Sequence, residues 1–215
     1  MNLLKDEDKK YITDEFKKLK DEVKIAFFTQ KLECQFCDQT HKLLEEVSGL
    51  SDKLSLEVFN FAIDKAKVQE YKVDKIPATI IEGTKKYGIR FFGIPSGYEF
   101  TSLLEAISIV SLRDSGLSKD GRRKLKTVDK PVHIQVFITP TCPYCSRAVQ
   151  LAHRLALESD LIVADMIEAI EFPHLSNRYQ VQAVPKVDIN ERVQFEGALP
   201  ESAFVDQVLA AVEAE

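Results

Sequence analysis

The sequence predicts an α/β protein made of two tandem copies of one unit, each a mixed sheet of four strands, or slightly more, flanked by helices. Three observations carry this expectation. The four cysteines form two pairs, Cys34-Gln-Phe-Cys37 and Cys142-Pro-Tyr-Cys145, offset by 108 residues. The same offset carries Tyr71-Lys-Val73-Asp-Lys-Ile76-Pro77 onto Tyr179-Gln-Val181-Gln-Ala-Val184-Pro185 without a gap. In both halves, short β-branched and aromatic runs alternate in one order with helical apolar stripes.

The elements follow in sequence. Lys24–Thr29 and Val132–Thr139 are rich in β-branched and aromatic residues and read as buried strands. Behind each cysteine pair comes a helical stripe, Leu43, Leu44 and Val47 in the first half and Ala148, Leu151, Ala152 and Leu155 in the second. A second strand (Leu54–Ile63; Leu161–Ile170) leads to a short helix ending near Tyr71 or Tyr179. Ala78–Glu82 and Lys186–Ile189 are third strands, turned at Gly83-Thr84 and Asn190-Glu191 into a fourth, Tyr87–Phe92 or Arg192–Phe195. Past the hairpin the offset falls to 104, with Gly93 matching Gly197, as a shorter turn in the second copy would give. Tyr98–Leu112 and Glu201–Val212 close the units as amphipathic helices. A further helix precedes each unit, marked by Tyr11, Ile12, Phe16 and Leu19 in one and by Ser118–Leu125 in the other. Each unit thus reads β-α-β-α-β-β-α, parallel first and antiparallel last. At 215 residues, two domains are expected, 1–116 and 117–215, divided where Ser-Gly and Asp-Gly punctuate Asp114–Asp120. Each is long enough to bury a core of its own.

Composition narrows the partners. A net charge of -5 argues against nucleic acid or an anionic membrane surface as the main partner. The longest apolar runs are strand-sized, far short of a membrane span. Met1–Lys10 is charged and has no apolar stretch of the kind a secretory signal needs, so a cytoplasmic location is expected. In a reducing compartment four cysteines are more often catalytic or metal-binding than static cross-links.

A cysteine pair at a strand-to-helix junction has a chemical use. The first cysteine, expected at the helix N-cap, meets unpaired backbone N–H groups and the positive end of the helix dipole, which favour a thiolate. Cys34 and Cys142 are therefore the expected nucleophiles. Cys37 and Cys145, one turn further in, are expected to resolve the mixed disulfide. Pro143 is expected at the first helical position, where a missing N–H costs nothing. The competing reading, two halves of a zinc site, suits the spacing poorly: 104 residues separate Cys37 from Cys142, whereas paired zinc motifs stand about 15–20 apart. No metal and no cofactor beyond the cysteines is expected.

Ile76-Pro77 and Val184-Pro185 each stand 43 residues behind a leading cysteine and open a strand. A lone proline there is a trans residue starting an edge strand. Two at matched spacing read better as cis bonds beside the cysteines. They leave the backbone of Ile76 or Val184 free to pair with an extended substrate. Phe36 and Tyr144, inside the pairs, are placed to touch that substrate.

On these residues the chain resembles the protein disulfide oxidoreductases of thermophilic archaea and bacteria, tandem thioredoxin-like, glutaredoxin-like relatives of protein disulfide isomerase. The resemblance covers nearly the whole chain, and Cys142-Pro-Tyr-Cys145 matches the glutaredoxin dipeptide. It implies reduction, oxidation and isomerisation of protein or peptide disulfides, electrons from a thioredoxin-reductase-like donor, and cis bonds at both prolines. A dedicated electron relay to a peroxidase is a rival reading, although such tandem relays usually keep one intact pair. A zinc-holding or chaperone-like module is a third. One departure stands out. Thioredoxins carry a buried acid six residues before the attacking cysteine, where this chain has Phe28 and Val136; Glu168 is a candidate substitute, with a surface carboxylate the alternative.

The two pairs are not equivalent in charge. Glu33 precedes Cys34 and opposes its thiolate, with Lys31 in partial compensation, whereas Thr141 precedes Cys142. Cys142 is the expected site of most reductase turnover. Phe27, Phe28, Phe59, Phe61, Phe91 and Phe92 are expected to pack the core. His41 and the basic stretch Arg122-Arg123-Lys124 are expected to be solvated helix faces, and His133, His153 and His174 have no partner pattern.

Overall fold

The structure, a computed structural model, describes residues 3–214. The elements are α1 (Asp6–Phe16), β1 (Val23–Thr29), α2 (Cys37–Ser48), β2 (Leu54–Asn60), α3 (Lys65–Tyr71), β3 (Ala78–Glu82) and β4 (Lys86–Phe92). A single 3-10 turn (Gly97–Glu99) leads into α4 (Phe100–Leu112). Then come α5 (Lys119–Leu125), β5 (Val132–Ile138), α6 (Cys145–Glu158), β6 (Ile162–Glu168), α7 (Pro173–Arg178), β7 (Lys186–Ile189), β8 (Val193–Glu196) and α8 (Glu201–Glu213).

The repeat is legible in the backbone. Lys72 and Gln180, which correspond, both adopt left-handed φ of 51°. The Val73 N–H donates to Val68 O and the Val181 N–H to Ser176 O, the same bond in each copy. The Gly93 N–H donates to Pro77 O at 2.9 Å and the Gly197 N–H to Pro185 O at 2.8 Å, so the frame realigns past the hairpin as expected. The hairpins absorb the length difference. Ile81 pairs with Ile89 around residues 82–88, and Ile189 with Val193 around residues 190–192.

The sheet goes beyond the expectation. Rather than two separate four-stranded sheets there is one sheet of eight, ordered β2-β1-β3-β4-β6-β5-β7-β8. The halves join where β4 pairs with β6 in parallel, from Ile89 opposite Ala164 to Phe92 opposite Ile167. Gly88 permits the approach: at φ +71°, a Cβ there would press on Ile162 O and Val163 Cα. Six strands run one way, and β3 and β7 run against them. The ends of β1 and β5 and the starts of β3 and β7 therefore share one edge of the sheet.

Fusion of the sheets also fuses the cores, which corrects the expectation of a separate core in each half. One continuous cluster holds Leu44 and Val47 of α2, Leu103 and Ile107 of α4, Leu155 of α6 and Phe204 and Val208 of α8. The opposite face holds a smaller cluster in which Phe28 and Phe92 join Phe137 and Ile167, capped by the short helices α3 and α7. Phe27, Phe28, Phe91 and Phe92 are fully buried; Phe59 and Phe61 are half-buried against the smaller cluster. Between the halves, α4 and α6 are tied by Arg154 Nε donating to Glu105 Oε1 at 2.6 Å. Glu201, opening α8, accepts from the Ser118 hydroxyl at the start of α5.

Two local expectations are corrected. Tyr11 faces solvent, while Ile12 and Phe16 supply the buried stripe of α1. Arg122, Arg123 and Lys124 lie on a solvated helix face, as expected, and pair there with Asp114, Asp120 and Asp206. His41 is not a free surface group, since its ring stacks on Phe27 at 5.7 Å and its Nε2 lies 3.4 Å from Glu45.

Candidate active sites

Val23–Thr29 and Val132–Ile138 are buried almost continuously, as central strands covered on both faces are, and each leads at its C-terminal end into its cysteine loop. Cys34 is bonded to Cys37 and Cys142 to Cys145, with Cα–Cα separations of 5.4 and 5.5 Å. The pairs are separated by β3, β4 and β6 along the edge. Four inter-strand steps of about 4.8 Å place roughly 19 Å of sheet between them. One zinc ion, with ligands about 2.3 Å away, does not bridge such a gap. Among the described residues no group of three or more His, Cys, Asp or Glu is arranged to hold a metal ion.

The leading cysteines do not occupy the N-caps, contrary to expectation. The helices begin at Cys37 and Cys145, capped by Phe36 and Tyr144, and Cys34 and Cys142 lie in the turn two residues earlier. Pro143 accordingly precedes the helix. At the second pair a tight turn delays the helix: the Cys142 N–H donates to Thr139 O at 3.1 Å and the Cys145 N–H to Cys142 O at 3.4 Å. At the first pair, Thr40 closes the turn by donating from both its N–H and its hydroxyl to Phe36 O. Its counterpart in the second copy is Ala148, which lacks a hydroxyl.

Burial is graded within each pair. Cys37 and Cys145 are buried, Cys34 is half-buried, and Cys142 is buried but for 9% of its surface. Both Ile76-Pro77 and Val184-Pro185 are cis. Cys142 Sγ lies 3.6 Å from the Val184 carbonyl oxygen, so the proline loop touches the leading sulfur of the second pair. Beside Pro77, Lys75 is pinned over the Phe92 ring at 3.8 Å. Tyr144 stands 63% exposed, whereas Phe36 leans half-buried on the main core.

The edge between the pairs is bridged by the segment from Gly93 to Phe100. Gly93 is bonded to Pro77 at one end; at the other, the Tyr98 N–H donates to Pro140 O at 3.1 Å, two residues before Cys142. Gly97, at φ +60°, lies so close to Pro140 that a Cβ would collide with its carbonyl.

Two buried acids and one half-buried one, which sequence reasoning largely missed, line this bridge. Glu99 is fully buried, accepts from the Ser102 hydroxyl at 2.7 Å, and is pushed up by burial to about 7 against that bond. Glu168 is buried, not the surface carboxylate of the alternative reading, and accepts from the Glu171 N–H at 2.6 Å. Burial raises its pKa. Glu171 accepts from the Ile94 N–H at 2.6 Å and is also pushed up to about 7, by burial and by the neighbouring Glu168. The only local signal for Glu99 is an acid at the head of an apolar helix.

Away from the edge, the seam holds an ion cluster built around the buried Asp165. Arg90 on β4 grips Asp165 on β6 through Nε at 2.6 Å and Nη2 at 2.8 Å, and His133 Nε2 lies 2.7 Å from the same carboxylate. Burial disfavours the charge on Asp165, but Arg90 and His133 overcome it and hold the carboxyl well below the usual range. His133 thus has a partner that its sequence context did not reveal. His153, fully buried against Phe91, is pushed down by burial to about 4 and stays neutral.

An edge bearing two bonded Cys-x-x-Cys pairs, each on a strand-to-helix turn and followed by a cis-proline strand, defines a thioredoxin-fold protein with two disulfide centres. The family model "Thioredoxin domain" matches residues 132–210. A protein disulfide oxidoreductase from Aeropyrum pernix superposes with a TM-score of 0.92 at 31% identity, covering 97% of this chain and 94% of that one. The chain belongs to the protein disulfide oxidoreductase family. It also shares its fold with the N-terminal domain of alkylhydroperoxide reductase AhpF from Enterococcus faecalis (TM-score 0.89, 23% identity, 95% and 99% covered). In sequence it is 26% identical over 171 residues to an alkyl hydroperoxide reductase protein of Pseudomonas aeruginosa. That match covers 80% of the chain and 30% of the relative, so the chain spans about a third of that curated protein.

Proposed function

We propose that the chain catalyses reduction, oxidation and isomerisation of disulfides in protein substrates through both cysteine pairs. The observation that carries this reading is the pairing of each Cys-x-x-Cys turn with a cis-proline strand, seen most directly in the contact of Cys142 Sγ with Val184 O. In the reductive direction, the Cys142 thiolate attacks one sulfur of a substrate disulfide. A Cys142–substrate S–S bond forms, and the other substrate sulfur leaves as a thiolate and takes a proton. Cys145, as thiolate, then attacks Cys142 Sγ, closing the Cys142–Cys145 disulfide and freeing the second substrate thiol. Two electrons pass from the dithiol to the substrate, and a dithiol donor must restore them. Cys34 and Cys37 act in the same way at the first pair.

Ile76 and Val184 offer backbone to an extended substrate next to Pro77 and Pro185, and Tyr144 is the accessible aromatic contact. Glu99, which changes charge near neutral pH in the turn bonded to Pro140, is our candidate for the acid that Phe28 and Val136 do not supply. We assign the first pair to residues 1–116 and the second to 117–215, a cytoplasmic setting, and a thioredoxin-reductase-like donor. Among the described residues no helix is long and apolar enough to cross a membrane.

A second reading, an electron relay to a peroxidase, draws on the match to the alkyl hydroperoxide reductase protein of Pseudomonas aeruginosa. Turnover of insulin with dithiothreitol, together with refolding of scrambled ribonuclease, tests the two. A general catalyst does both, and Cys142→Ser with Cys34→Ser abolishes both. Failure on both substrates while a peroxidase is still reduced would favour the relay.

A further inference from the structure

Among the described residues, six large apolar side chains are at least half exposed: Tyr11, Leu32, Ile63, Tyr98, Tyr144 and Ile170. All but Tyr11 lie on the sheet edge that carries the cysteines. Leu32, 78% exposed, stands two residues before Cys34. Ile63, 76% exposed, follows β2, the strand beside β1. Ile170 follows β6, the strand beside β5, and Tyr98 is bonded through its N–H to the loop that ends at Cys142. Beside the bridging segment, a cavity of about 250 Å³ opens between α2, the bridge and the N-terminal Leu3 and Leu4, with Leu43, Ile94 and Phe100 also in its wall. Water-facing apolar groups gathered this way along one functional edge mark an interaction surface.

The geometry says what covers it. The bridge is tied at both ends, to Pro77 and to Pro140, so the spacing between the two apolar groups is fixed. An extended polypeptide rises about 3.3 Å per residue, so roughly six residues span the 19 Å between the pairs. We infer that a single non-native polypeptide, extended and rich in aliphatic and aromatic side chains, occupies both sites at once. Its disulfide reacts at one pair while its apolar side chains rest on the patch beside the other. This rests on the redox reading above and specifies its substrate: unfolded segments with apolar residues at least about six positions from the reacting cysteine. The second contact is then intramolecular and raises local concentration without any new chemistry.

The test uses the full chain with its first pair removed (Cys34→Ser, Cys37→Ser) and dithiothreitol as reductant. Synthetic peptides carry one cysteine capped by a small thiol and a Leu-Ile pair two, six or ten residues away, with Ser-Ser as control. We expect kcat/KM to rise about ten-fold from the two-residue to the six-residue spacing. The rise should disappear on Leu32→Ser with Ile63→Ser, rates being scaled to each variant's turnover of a small disulfide. The reciprocal protein, with its second pair removed and Ile170→Ser with Tyr144→Ser, gives an independent reading. Spacing-independent rates, or a gain that survives both sets of substitutions, overturn the inference. Absence of turnover even on the small disulfide would instead overturn the redox reading.

Discussion

Cys34 and Cys142 precede corresponding helices but differ in backbone and in charge: Glu33, before Cys34, takes a left-handed φ of 56°, whereas the Cys142 N–H is bonded to Thr139 O. Glu33 and Asp38 flank the first pair, whereas the first turn of α6 carries no acid and includes the exposed Arg147. In the reduced protein the pH midpoint of iodoacetamide alkylation should therefore lie lower for Cys142 than for Cys34. Comparing midpoints in Cys34→Ser and Cys142→Ser removes the difference in accessibility, and a lower midpoint for Cys34 refutes the argument. The acids of the bridge give a second prediction. Glu99 and Glu171 are held at about 7, above the ordinary carboxylate value, so folding favours their protonated forms. Their contribution is full below about pH 4.5 and is lost as pH rises through 7, with an upper limit on the order of 3 kcal/mol each. Unfolding midpoints in urea should fall between pH 5 and 8 by less in Glu99→Gln than in the parent; an unchanged slope would show that Glu99 does not titrate in this range. The cysteines and prolines were readable in the sequence because their offset is fixed by covalent spacing. Glu99, Glu171 and Asp165 were not, because their burial is created by the seam between the halves.

At the scale of elements, strands and helices fell close to the positions their periodicity gives, since β-branched runs and apolar stripes decide them locally. The helix starts did not. Sequence periodicity cannot see that the turn after β5 bonds Cys142 to Thr139 and delays the helix to Cys145. The bridging segment is the element whose integrity matters most for the second pair. Gly97→Ala puts a Cβ against the Pro140 carbonyl at a left-handed φ, a strain of about 1–3 kcal/mol. We expect a matching loss of stability and a several-fold fall in kcat/KM at the second pair, measured with the first pair removed. Equal turnover in the Ala variant would mean that the bridge does not position the Cys142 loop.

The whole molecule is where the sequence said least. Tandem copies were evident, but nothing in a linear repeat states that β4 of one will hydrogen-bond β6 of the other. Arg90 in β4 and Asp165 in β6 interrupt the apolar runs that would otherwise have hinted at it. The seam is fastened by Arg90, Asp165 and His133. Removing the carboxylate charge in Asp165→Asn leaves a buried guanidinium without its counter-ion, at a cost of about 3–5 kcal/mol. Urea unfolding should show that loss, and an equally stable variant would mean that the ion cluster does not hold the seam. The parallel seam also means that the molecule presents two free sheet borders, β2 and β8, where two independent units would present four. Cutting the gene at its midpoint would bare a ladder of unpaired amides and carbonyls on each fragment. Neither copy is a cassette that can be lifted out, and separately expressed fragments should seek each other, or their own kind, before they behave as monomers.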